Sequence, residues 1–285
     1  MSAVQPSRGA QDPAAAGGVY VSPIPVRRAH LGDAIVAEWT KIRSVRSTLW
    51  TLGGLIVAFL GTGLVIAWGV AVTSVERSSG TALSFGFFGA LLGLICVMTL
   101  GVLTFSSEFS TGLIRTTLTA CPSRARVLGA KAVVYFAVVF SLMLALTWST
   151  AVLQIVILDA RSPRPGEWIS ATLGVSLYMA LLGVLSQALG ALVKHAAGAI
   201  TAMLGVVLLP LVLALFLISP LPKVSDVLLT YSIPSQLASF YPALGGFAGE
   251  NGGSGPTGWT SLWILVGVTA LAMGGAYAAL ERRDT

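Results

Sequence analysis

The feature that most constrains this chain is a series of six long stretches that contain no Asp, Glu, Lys or Arg. Each stretch is long enough to supply the roughly 20 apolar residues that an α-helix needs to cross a bilayer. The stretches are continuously apolar, whereas the strands of a membrane β-barrel alternate apolar with polar residues. Because only helices and closed barrels satisfy their backbone hydrogen bonds in lipid, the sequence predicts an all-α membrane protein. The six spans are predicted near residues 49–72, 81–105, 132–158, 168–193, 196–218 and 259–279.

Composition favours the same class of protein. Of the 285 residues, 55 % are hydrophobic and only 10 % are charged, whereas a soluble domain carries about 25 % charged residues. The net charge of +6 lies in short patches, without the long basic runs and interleaved aromatics typical of nucleic-acid binding. We therefore expect membrane lipid as a partner and no nucleic acid. Residues 1–28 lack the apolar core of a signal peptide and predict a disordered cytoplasmic tail before a transmembrane domain over 29–285.

The distribution of Lys and Arg predicts the orientation of the chain. If the N-terminus is cytoplasmic, the cytoplasmic segments hold 13 of these residues and the outer segments hold four. This excess follows the positive-inside rule and predicts a multi-pass protein of the cell membrane with both termini in the cytoplasm. The cytoplasmic set is Arg8, Arg27, Arg28, Lys41, Arg43, Arg46, Arg115, Arg124, Arg126, Lys131, Lys194, Arg282 and Arg283, and the outer set is Arg77, Arg161, Arg164 and Lys223.

An amphipathic helix is predicted over residues 29–47, directly before the first span. Its apolar stripe is Leu31, Ile35, Trp39 and Ile42, and its polar side includes Asp33, Thr40, Lys41, Arg43, Ser44 and Ser47. A helix with basic residues on one side and a Trp on the other is typical of the membrane surface. We expect Trp39, Lys41 and Arg43 to hold this helix in the interface. A soluble juxtamembrane helix is the alternative.

The segment 106–131 joins the second and third predicted spans. A carboxylate at the end of a span is costly if unpaired, so Glu108 is expected to have a cation partner, face water or cap a helix. Gly112 permits a sharp turn, residues 113–119 predict a short helix, and Pro122 ends it. Such a helix could transmit force from a cytoplasmic partner. An ordinary basic loop is equally compatible with these residues.

From Glu108 this segment reads Glu-Phe-Ser-Thr-Gly-Leu-Ile-Arg, and Cys-Pro-Ser-Arg follows at 121–124. The pattern resembles the cytoplasmic loop of ABC-2-type permeases, the membrane subunits of ATP-binding-cassette exporters. The run Glu-Trp-Thr-Lys at 38–41 is similar to that family's elbow helix, and six spans with a long outer fifth loop match its plan. The resemblance covers nearly the whole chain after about residue 29.

The resemblance implies a transport subunit that works as a dimer, with a second permease chain as its homodimer partner. A separate ABC ATPase subunit would bind ATP and couple through the 106–131 loop. The resemblance implies that contact with the ATPase is made by Glu108, Phe109, Gly112, Ile114, Arg115, Pro122 and Arg124. The chain itself has no GxxxxGK[ST] phosphate loop, so no bound cofactor and no enzyme activity of its own are expected. Apolar spans with few charges favour a hydrophobic, drug-like or lipid-like substrate.

Other functions find less support in the sequence. His30 and His195 form no HExxH motif or triad, and Cys96 and Cys121 have no metal-ligand spacing, so no catalytic or metal residues are predicted. No acid or base is expected deep inside a span, which disfavours proton-coupled transport. A polytopic membrane anchor or assembly protein without a transport path is the alternative function. Apolar pieces within the outer segment 219–258 predict short helices that dip into the membrane, with a plain extracellular loop as the alternative.

Overall fold

The computed structural model describes residues 30–73, 79–120, 123–160, 162–244, 256 and 258–282. Helices make up 89 % of these residues, and none of them lies in a strand. Six helical segments within this part of the chain are long and apolar enough to cross a membrane. The predicted all-α class and the six candidate spans are therefore confirmed.

The described helices are, in chain order, α1 Leu31–Ser44, α2 Arg46–Ala71, α3 Ser79–Ser84, α4 Gly86–Ser110, α5 Leu113–Ala120, α6 Arg124–Leu158, α7 Pro165–Ile169, α8 Val175–Val193, α9 Ala196–Leu217, α10 Pro222–Tyr231, α11 Ile233–Ala238 and α12 Trp259–Arg282. The spanning segments are α2, α4, α6, the continuous pair α7 and α8 with a π-helical turn at Ser170–Gly174, α9 and α12.

Two helices extend farther into the segment 106–131 than the sequence predicted. Helix α4 continues to Ser110, and α6 begins at Arg124 rather than near residue 132. The predicted loop over 106–131 is thereby reduced to α5 and its two connections. The charged residues that seemed to end these spans lie inside the helices, where they are paired with one another. The helices therefore continue past the charged residues, and the positions at which they leave the membrane stay a prediction.

The amphipathic helix is also shorter than predicted. It ends at Ser44, and the extended backbone of Val45 (φ −80°, ψ 115°) separates it from α2. Its inward face carries Ile35, Glu38 and Ile42, while Trp39 is 46 % exposed. The helix therefore turns a mixed polar and apolar face toward α6, against which it packs.

Helix α8 lies at the centre of the bundle and packs against α4, α6 and α12. The contact with α4 is close because a Cβ at Gly101 would lie 2.5 Å from the carbonyl oxygen of Gly183. Small residues permit such approaches in lipid, where dispersion and not the hydrophobic effect drives helix association. Helices α2 and α9 remain mostly exposed, which leaves large apolar faces for lipid or another chain.

The segment 219–258 contains the short helices α10 and α11. The end of α11 and the residues that follow it are buried in the main apolar core, with Leu237, Phe240 and Tyr241 as members. The predicted short helices are present, and their depth in a membrane stays a prediction. The glycine-rich run at 249–255 lies outside the described residues.

Candidate functional site

A network of four charged side chains joins three helices at one end of the bundle. Glu38 and Lys41 lie one turn apart on the inward face of α1. Glu108 lies in the last turn of α4, and Lys131 lies in the second turn of α6. The two Lys residues alternate with the two Glu residues around the network, so its formal charges cancel.

The contacts of the network are short and specific. Lys131 Nζ donates to Glu38 Oε2 at 2.7 Å and to Glu108 Oε1 at 2.9 Å. Lys41 Nζ donates to Glu38 Oε1 at 2.8 Å and to Glu108 Oε1 at 2.7 Å. Lys131 also donates to the carbonyl oxygen of Thr104 at 3.2 Å. Each Glu is therefore held by both cations, and each Lys by both carboxylates.

Burial makes this pairing necessary. Glu38, Glu108 and Lys131 are 6 %, 4 % and 3 % exposed, respectively, and a buried ion without a partner costs several kcal/mol. Lys41 differs, since 36 % of its side chain is exposed. Burial opposes the charge on Lys41, but its hydrogen bonds and attraction to Glu108 and Glu38 outweigh that effect and raise its pKa above 10.5. Lys41 is therefore a cation at neutral pH.

One carboxylate oxygen in the network is not satisfied by the described residues. Glu108 Oε2 is buried and has no hydrogen-bond partner among them. Glu108 also lines a cavity of about 450 Å³ between α1, α2 and α4. Lys41, Glu38 and Lys131 line the same cavity, so the network forms its polar end.

The short helix α5 follows directly from α4. Gly112 has φ +72°, a value that suits glycine and turns the chain sharply after Ser110. The predicted turn and short helix are confirmed, and Leu113, Thr116 and Thr119 are exposed on α5. The side chains of Ile114 and Arg115 lie outside the described part, as does all of Cys121 and Pro122.

Two further residues of the predicted coupling segment tie the same end of the bundle together. Lys194 Nζ lies 4.9 Å from the ring centre of Phe109, which is a cation–π contact between the α8–α9 turn and α4. Arg124 donates from Nη1 to the carbonyl oxygen of Leu280 in α12. Glu108, Phe109 and Arg124 thus contact different neighbouring helices and do not converge on one point.

The predicted interfacial residues divide into two environments. Trp39 is exposed, and the guanidinium carbon of Arg43 lies 5.9 Å from its ring centre. Lys41 points instead into the charge network. Sequence reasoning assigned all three to the membrane surface, and for Lys41 the structure adds Glu38 and Glu108 as ion-pair partners.

Sequence reasoning missed Glu38 and Lys131 as members of this site. Lys131 was counted only as a cytoplasmic positive charge, and Glu108 was not expected within a span. A signal was present for Glu38, which lies three residues after Ile35 and four before Ile42 and thus on their side of the helix. A carboxylate on an inward apolar face indicates a buried cation nearby.

The described residues contain no group of three or more His, Cys, Asp or Glu side chains that could hold a metal ion. His195 caps α9, where its Nδ1 accepts a hydrogen bond from the Gly198 amide at 3.2 Å. No protein-family model matches the chain, and no curated protein matches it either.

Proposed function

We propose that this chain is the membrane-spanning subunit of an ATP-driven exporter of the ABC-2 type. It works as a homodimer in the cell membrane, with both termini in the cytoplasm, and moves a hydrophobic, drug-like or lipid-like substrate. A separate ATPase subunit binds and hydrolyses ATP and contacts α5. The observation that carries the proposal is the buried charge network that joins α1, α4 and α6 beside α5.

The network supports a mechanical role for α5. This helix lies between α4 and α6, and the ion pair between Glu108 and Lys131 links those two helices to each other. Lys41 and Glu38 extend the linkage to α1. Separating buried partner charges is strongly unfavourable, so a push on α5 shifts the three helices together instead of spreading them. That is the property needed to convert a movement of an ATPase into rearrangement of the spans.

The surroundings of α5 support the proposed orientation and partners. Lys41, Lys131 and Lys194 all lie at the end of the bundle where α5 is found, as the positive-inside rule requires of the cytoplasmic side. The exposed apolar faces of α2 and α9, with Val57 72 % and Phe216 76 % exposed, suit lipid and a second copy of the chain.

The proposal is tested by a search of the adjacent reading frames for a phosphate-loop ATPase and by purification of the chain together with such a subunit. We expect the two to co-purify, and hydrophobic compounds to stimulate ATP hydrolysis in reconstituted membranes. Thr116→Arg places a new charge on the exposed surface of α5 and should weaken association at least about tenfold, because an interface cannot bury an unpaired charge cheaply.

A matched control is Thr73→Arg. Both threonines are exposed, and both donate from Oγ1 to the carbonyl oxygen three residues earlier. Thr73 follows α2 at the opposite end of the bundle and should tolerate the change. Failure of the chain to co-purify with an ATPase, with no difference between the two variants, would favour a membrane anchor or assembly protein instead.

A further inference from the structure

The cavity beside the charge network has the size and walls of a ligand site. Its volume of about 450 Å³ lies within the roughly 300–1,000 Å³ range of small-molecule pockets. Apolar atoms form most of its wall. They come from apolar residues such as Ile42, Leu100 and Leu103 and from the aliphatic parts of polar side chains such as Thr48 and Thr51. Such walls favour an apolar chain over a charged solute.

The surface around the cavity is suited to contact with lipid. Val45 and Leu113 line the cavity and are 45 % and 52 % exposed. Trp50, one turn along α2 from its start, is 82 % exposed, and exposed Trp at the end of a span is typical of the membrane interface. A molecule dissolved in the bilayer can therefore reach the cavity from the side.

Two residues at the polar end of the cavity, Glu108 and Lys41, have hydrogen-bonding capacity that the described residues do not use. Glu108 Oε2 is buried without a partner among the described residues. Lys41 Nζ makes two hydrogen bonds, to Glu38 and Glu108, although an ammonium group carries three N–H donors. A head group with an N–H donor and an anionic oxygen complements both atoms. A quaternary ammonium has no N–H and cannot satisfy the carboxylate.

We propose that this cavity binds a membrane amphiphile whose head group carries a phosphate and a primary ammonium, of the phosphatidylethanolamine class. The phosphate lies at Lys41, and an acyl chain follows the apolar residues of α1 and α4. The ammonium donates to Glu108 Oε2 after a rotation of the carboxyl group that turns this buried oxygen toward the cavity. The site does not depend on the proposed export function, since it requires only a bilayer that contains this lipid.

The lipid preference is tested on the purified full chain by native mass spectrometry. The chain is mixed with equal amounts of phosphatidylethanolamine and phosphatidylcholine of the same acyl chains. We expect at least about tenfold greater retention of phosphatidylethanolamine, because only its ammonium forms a charge-assisted hydrogen bond with the carboxylate. Equal retention of the two lipids would overturn the proposal.

Three substitutions test where the lipid binds. Thr51→Phe fills the cavity and should reduce retention about tenfold, whereas Val57→Phe adds the same side chain to the same helix at a position 72 % exposed and should have no effect. Equal retention by these two variants contradicts the assignment. Glu108→Gln removes the carboxylate and should abolish the preference between lipids in whatever fraction stays folded.

A soluble head group distinguishes an amphiphile site from a phosphate site. Glycerophosphoethanolamine, which lacks acyl chains, should fail to displace the bound lipid at millimolar concentration, because the apolar walls contribute most of the affinity. Displacement by this compound, or by inorganic phosphate alone, would show that the cavity takes a free solute and refute the amphiphile assignment.

Discussion

Replacing Lys131 by Met is the sharpest test of the buried charge network. Lys131 is 3 % exposed and contacts both Glu38 and Glu108. The Met side chain keeps most of the volume of the Lys stem, so the change removes the ammonium without opening a large cavity. Glu38 Oε2, which accepts from Lys131 in the described structure, is then buried without that donor, and the network carries an excess negative charge.

The size of the effect follows from this burial. Removing one partner of a buried ion pair costs about 3–5 kcal/mol of unfolding free energy, and Lys131 is almost fully buried. Lys41→Met removes an equal number of ion pairs, but that side chain is 36 % exposed and water can replace its ammonium. We therefore expect Lys41→Met to cost only about 1–2 kcal/mol.

The double variant Lys131→Met with Glu38→Gln isolates the charge imbalance. It leaves Glu108 and Lys41 as one balanced pair and converts Glu38 into a neutral amide. If unpaired charge causes the loss, the double variant should recover at least about 1 kcal/mol relative to Lys131→Met alone, as expected for coupled neighbours.

The measurement is reversible unfolding in mixed micelles with an increasing fraction of sodium dodecyl sulfate, followed by tryptophan fluorescence. From highest to lowest, the unfolding free energies should rank wild type, Lys41→Met, the double variant and Lys131→Met. The values of the two middle variants should lie close together. A Lys131→Met chain as stable as Lys41→Met, or a double variant less stable than Lys131→Met, would refute the argument that a buried, balanced network holds these helices.

Three further predictions follow. Gly101→Ala should lower the unfolding free energy by about 1–3 kcal/mol, because its Cβ would lie 2.5 Å from a carbonyl oxygen of α8. Gly205→Ala, whose Cβ would have no atom within 4 Å, should be neutral or slightly stabilising. The same micelle titration distinguishes the two variants. In a variant without the native cysteines, an impermeant thiol reagent applied to whole cells should label Ser162→Cys and not Thr119→Cys, and the reverse pattern would invert the proposed orientation. The pKa of Lys41 in the folded chain is raised above the ordinary value of 10.5. The stability that Lys41 adds relative to Lys41→Met should therefore be complete below about pH 10 and decline as pH rises through the folded pKa. A decline that begins near neutral pH would contradict the raised pKa.

Most of the helical architecture could be predicted from the sequence. Helix α9 was predicted over 196–218 and runs Ala196–Leu217, and α12 was predicted from 259 and begins at Trp259. The sharp turn at Gly112 and the short helix after it were also predicted. These features depend on local properties: a stretch of apolar residues long enough for a bilayer, and a glycine whose φ is positive.

The true ends of α4 and α6 could not be predicted in the same way. Each was expected to stop near its charged residue, since an isolated charge in a span is costly. The rule assumes that the charge is unpaired. Lys131 and Glu38 are 93 positions apart in the chain, and nothing in the local sequence of either residue states that they meet.

The sequence by itself determined that the chain is helical and suited to a bilayer, because length and hydrophobicity act within each segment. The tertiary structure alone decided which charges are neutralised, because Coulomb attraction and desolvation depend on distances between atoms from different helices. It placed Glu38 and Lys131, which belong to different predicted segments, side by side at the buried centre of the site. The cavity beside them exists only because α1, α2 and α4 pack in this arrangement, and so does the Glu108 oxygen that has no partner among the described residues.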